Sequence, residues 1–155
     1  MPLFRRIRRL RDGGYRFGLS DPERAALREL LPQLRGLLTE APADDPRLRR
    51  LFPTAYPQDP EKDAEYVRYM REELVASRLG ALTLVEGVLG STELTEAELL
   101  AVMRALNDIR LVLGTMLDVQ EDDPVPDFDD PESGPLLLYH GLGGLLEEIV
   151  AALGT

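Results

Sequence analysis

The chain has 155 residues, 18 Lys+Arg against 28 Asp+Glu for a formal charge of -10, and 44% hydrophobic residues. That length suits one domain, and such a domain buries roughly 68–70% of its unfolded surface without a metal or a disulfide. The absence of cysteine excludes thiol catalysis, thiolate metal sites and disulfide switching, and the net negative charge argues against direct nucleic-acid binding, which phosphate neutralisation drives.

Residues 1–19 read as a small β-hairpin. Asp12-Gly13-Gly14 is a turn signal, because glycine accepts positive φ. Tyr15, Phe17 and Leu19 alternate with Arg16 and Gly18, the period of a strand. The first arm carries Arg5, Arg6, Arg8, Arg9 and Arg11, a candidate partner-binding cluster. Planar guanidinium forks suit phosphate or an acidic protein surface. By alternation Arg6 and Arg8 share one face, and Arg5, Arg9 and Arg11 the other. The competing reading is a solvated edge strand whose charge blocks aggregation, or one that pairs with the acidic stretch further along.

Helices follow. Ser20-Asp21-Pro22-Glu23 is a capping box with proline in the first turn. It opens a stripe of Leu27, Leu30, Leu31, Leu34, Leu37 and Leu38, within which Pro32 is expected to kink or divide the helix. Asp45-Pro46 starts a short helix ending at Leu51-Phe52-Pro53. Asp59-Pro60-Glu61 starts a long one over roughly 60–90, with Val67, Met70, Leu74, Leu82, Val85 and Leu89 on one stripe. Ala76, Gly80, Thr83 and Gly87 form an adjacent small-residue face, which reads as the close approach of another helix. Thr95-Glu96-Ala97-Glu98 is a second capping box, opening a helix over roughly 96–117. Residues 118–134 read as an acidic, proline-broken loop before a last leucine-rich helix at roughly 135–153. The fold class is therefore mainly α: one domain over residues 1–155, a compact bundle of about four main helices plus a short one behind the hairpin.

Arg78, Asn107, Asp108 and Arg110 are the second candidate group. Helical spacing sets them on or beside apolar stripes, so they form either a buried polar network that fixes helix register or the lining of a ligand pocket. Glu86 and Asp108 are the carboxylates available to these arginines. His140, the single histidine, reads as a surface or packing residue and rules out a His-pair metal site. The acidic loop lacks the spacing of a calcium-binding loop. No phosphate-cradling glycine loop, dinucleotide fingerprint, zinc-protease helix or nucleophile elbow occurs. The expectation is a protein with no enzymatic activity, cofactor or metal. No apolar run near a terminus reaches about 18 residues and none follows the N-terminal arginines, so we expect a cytoplasmic chain without a membrane span.

Several segments together carry a resemblance. They are Phe4-Arg5-Arg6, Leu51-Phe52-Pro53-x-Ala55-Tyr56 followed by Asp59-Pro60, Arg104 to Gly114 with its Leu-Asn-Asp-x-Arg-Leu core, and Leu138-Tyr139-x-x-Leu142. In this order, over nearly the whole chain, the sequence resembles the actinobacterial AosR-like oxidative-stress transcriptional regulators, a family first filed as a domain of unknown function. The resemblance implies a small cytoplasmic regulator that associates with an alternative sigma factor, and so with RNA polymerase, in a stress response. It also leaves open an adaptor role linked to the Clp protease. The cysteine pair of a family member's redox switch has no counterpart here, so regulation must act by binding, by abundance or through a partner. The physical alternatives are a small-molecule-binding bundle and a DNA binder using the arginine-rich hairpin, and apolar helix faces are also compatible with a homodimer.

Overall fold

The computed structural model describes residues 5–42, 45–119 and 134–154. The hairpin forms as its sequence dictates. Strand β1 (Ile7–Arg9) pairs antiparallel with β2 (Tyr15–Phe17), with Ile7 opposite Phe17, Arg8 opposite Arg16 and Arg9 opposite Tyr15. Gly13 turns the chain at φ +91°, and the Gly14 N–H donates to the Asp12 carboxylate at 2.9 Å. A third strand, β3 (Glu93–Leu94), adds to the far side of β2, so β2 is central. Two residues are too few for alternation to reveal a strand, which is why the sequence showed only the hairpin. Ile7, Tyr15, Phe17 and Leu94 are buried on the inner face.

Helix α1 (Asp21–Glu40) starts at the Ser20–Glu23 capping box and buries Leu27, Leu31, Leu34 and Leu38. It runs through Pro32 undivided, so of the expected kink or division the division does not occur. A single 3-10 turn (Pro46–Leu48) follows, capped by Asp45, whose side chain accepts from the Arg47 N–H. Helix α2 (Pro60–Val88) has two unlike halves. Its C-terminal half buries Leu82 and Val85, whereas Val67, Met70 and Leu74 in its N-terminal half are only half-buried. Ala76, Gly80, Thr83 and Gly87 face outward, and a side chain added at Gly80 or Gly87 would meet nothing within 4 Å. The predicted close helix approach there is not seen among the described residues; α1 meets this face through a side chain, the Arg35 Nη2 donating to the Thr83 hydroxyl at 2.9 Å.

Helix α3 (Glu96–Met116) is the centre of the bundle, with α2 on one side and α4 (Gly134–Leu153) on the other. Its second capping box is formed, and it buries residues around most of its circumference, from Leu99 and Val102 to Ile109 and Val112. Helix α4 packs on α3 and β1 and buries Leu142, Leu145, Ile149 and Ala152. By length and composition α4 is also apolar enough to cross a bilayer, with a mean hydropathy of 1.5 over 18 residues. No unbroken apolar run marks this helix in the sequence, because Tyr139, His140 and glycines interrupt the leucines, while Glu147 and Glu148 are the helix's only charges.

Candidate functional site

Arginines dominate the polar structure, and the fold treats them in different ways. Arg6 lies where β1, α1 and α4 meet. Its Nε donates to Glu148 at 2.8 Å, its Nη groups pair with Glu23 and Glu148, and its backbone N–H reaches Glu148 at 3.2 Å. The hydrogen bond to Glu148, supported by Glu23 and opposed by burial, raises the Arg6 pKa. Burial alone would raise Glu23, but the Ser20 amide and hydroxyl and then Arg6 outweigh it and hold the carboxyl below its usual value. Arg6 is thus an internal clamp. Arg9 leans over the Tyr15 ring at 5.8 Å. Arg5, Arg8 and Arg11 are exposed. Arg8 stands directly opposite the exposed Arg16 on the outer face of the sheet, with Glu93 beyond Arg16 on β3. Alternation had placed Arg6 with Arg8, but regular pairing begins only at Ile7, and Arg6 serves the α4 junction instead.

The second candidate group comes together in part. Arg78 on α2 donates from Nη1 to Asp108 on α3 at 2.8 Å and from Nη2 to the Leu51 carbonyl at 3.2 Å, and its guanidinium stacks 5.3 Å from the Phe52 ring. Arg71 stacks on the same ring at 5.1 Å. The Leu-Phe-Pro segment therefore supplies both a carbonyl and an aromatic face to the α2–α3 joint. Asp108 is 4% exposed, and burial pushes its carboxyl up against the pull of Arg78 and Arg104. Glu86 plays no part in this pair: it binds Arg35 on α1.

Asn107 is exposed and joins neither arginine. Its neighbours four residues away, Met103 and Leu111, are only half-buried, so that line marks the border of the buried face. Arg110 is not part of the Arg78–Asp108 pair; it stacks on Tyr139 of α4, 4.6 Å from the ring centre. His140 is exposed and meets Tyr139 edge-on at 5.3 Å. The acidic stretch lies outside the described residues from position 120 onward. Among the described residues no group of three or more His, Asp or Glu side chains is placed to hold a metal ion.

Sequence reasoning missed Arg24, which is 8% exposed and stacked on Phe17. Its guanidinium donates to the carbonyls of Leu19, Phe17, Leu89 and Ser91, tying α1 to β2 and to the end of α2. The signal was present, because Arg24 continues the buried line of Leu27, Leu31 and Leu34 by three residues.

Grooves among the described residues include one of about 600 Å³ between α1 and α3, one of about 1180 Å³ along the N-terminal half of α2, and one of about 450 Å³ between β1 and α4. None is lined by Arg78, Asn107 or Arg110. Residues 4–153 match the family described as a domain of unknown function, DUF2017. The chain belongs to the DUF2017 family. No curated protein and no solved structure matches it. Within this DUF2017 chain, the arrangement offers exposed guanidinium groups for anionic surfaces, and its buried charges are engaged in joining helices.

Proposed function

We propose that the chain is a non-enzymatic cytoplasmic regulator that works by contact with another protein, through the outer face of its small sheet. The observation that supports this is the pairing of Arg8 with Arg16 across the β1–β2 ladder, both exposed and neither with an ion-pair partner among the described residues. Like charges directly opposite one another destabilise a sheet. An acidic protein surface relieves that repulsion and gains steering from the arginines, with Arg5 and Arg11 exposed nearby. The AosR-like resemblance supplies the partner class, a sigma factor or RNA polymerase acting in a stress response. Without cysteine, control rests on binding or abundance.

The test is affinity capture from a native lysate, comparing wild type with the Arg8→Glu/Arg16→Glu double variant. Recovery of polymerase or sigma subunits by wild type and their loss with the variant is the expected result. Capture that is unchanged by the double variant, or that lacks those subunits, defeats the reading.

A further inference from the structure

Helix α4 is apolar enough to span a bilayer, yet only 22% of its apolar 18-residue stretch is buried in the fold. Leu142, Leu145, Ile149 and Ala152 are its buried line. The outward side carries Gly144, Glu147 and Ala151, the last two exposed, with Val150 beside them at 58% exposure. A side chain added at Gly141 or Gly144 would meet nothing within 4 Å, so neither glycine makes room for a neighbour inside the fold. Small residues on the outside of a helix let a second helix backbone come close. Exposed apolar surface rimmed by charge marks an interaction face.

This side opens on the groove of about 450 Å³ between β1 and α4. Arg5 and Arg9 stand on the β1 wall, Glu147 on the α4 wall, and Gly144 and Ala151 also line the groove. Arg5, Arg9 and Glu147 are all exposed. A patch with one basic wall and one acidic wall is complementary to itself. A two-fold axis through it sets the basic wall of each copy against the acidic wall of the other. An acidic partner would meet Glu147 as a like charge. A bilayer would have to bury Glu147 in hydrocarbon. A second copy meets both walls with opposite charge.

We infer that the chain forms a two-fold dimer in which α4 crosses α4 of the second copy at Gly144 and Ala151, with Arg5 of each copy facing Glu147 of the other. Such an interface is closed and stops at two copies. The dimer is independent of the protein contact proposed above for Arg8 and Arg16.

Sedimentation equilibrium of the full chain over roughly 1–100 μM measures the association. The decisive variant is Gly144→Leu, because the open space around Gly144 admits leucine in the monomer while the dimer needs close helix approach. Wild type is expected to dimerise, and Gly144→Leu to weaken the dimer about tenfold or more with unchanged far-ultraviolet circular dichroism. Arg5→Glu and Glu147→Arg are each expected to weaken it about tenfold, and the double variant, with the charges exchanged, to return within about threefold of wild type. Wild type that stays monomeric at about 100 μM overturns the dimer. So does a dimer that tolerates Gly144→Leu, or an exchange of charges that restores nothing. Monomeric wild type that floats with phosphatidylcholine vesicles also overturns it and assigns the face to lipid.

Discussion

The two faces of the small sheet use the same residue type in opposite ways. On the inner side and rim, Arg6 is satisfied by the carboxylates of Glu23 on α1 and Glu148 on α4, and Arg24 by the carbonyls of Phe17, Leu19, Leu89 and Ser91. On the outer side Arg8 and Arg16 face solvent and each other. Two positions along the chain, from Arg6 before β1 to Arg8 within it, the guanidinium passes from a structural clamp to a charge with no ion-pair partner among the described residues. The difference teaches that an arginine-rich segment is not one site: each guanidinium takes its role from the acceptors the topology delivers to it.

The contrast sets an order of mutational effects. Arg24→Ala strands several buried carbonyls, and a loss of about 4 kcal/mol is expected, read as a lowered urea midpoint at pH 7. Asp108→Ala leaves Arg78 half-buried without its counter-charge and is expected to cost about 3 kcal/mol in the same assay. Arg8→Thr removes a like-charge neighbour from an exposed strand and is expected to stay within about 0.5 kcal/mol of wild type, or to stabilise slightly. A large loss with Arg8→Thr, or a small one with Arg24→Ala, would erase the distinction between the two faces.

Acid titration sharpens the same comparison. Burial holds Asp108 above its ordinary value of 3.8, so the part of its stability tied to protonation is complete below that value and is lost as pH rises through the raised pKa, leaving the pairing with Arg78 at neutral pH. Glu23 is held below its ordinary 4.5, so its contribution is present above that value and is lost as pH falls through the lowered pKa. On acidification from neutral pH, the stability of wild type relative to Asp108→Asn should therefore increase, and relative to Glu23→Gln it should decrease. Urea titrations across that range measure both slopes, and slopes of the same sign would contradict these environments.

Much of the fold was readable before any coordinates. The two capping boxes, the Asp12-Gly13-Gly14 turn and the leucine line of α1 are local signals, and each formed where expected. The candidate sites were less legible. Asp108 was one of two carboxylates that the sequence offered to the candidate arginines, and only the fold sent it to Arg78 and Glu86 to Arg35. Asn107 was misplaced by one step around the helix, and Arg24 was overlooked although it shares the leucine line.

The amino-acid order by itself determined where helices start, which faces are greasy, and that cysteine chemistry is absent, because capping, periodicity and composition act over a few residues. Only the tertiary structure decided that β3 completes a sheet, that the small-residue face of α2 looks outward, and which arginines find acceptors. Those outcomes depend on groups distant in sequence arriving within hydrogen-bonding reach, and no short-range pattern encodes that meeting.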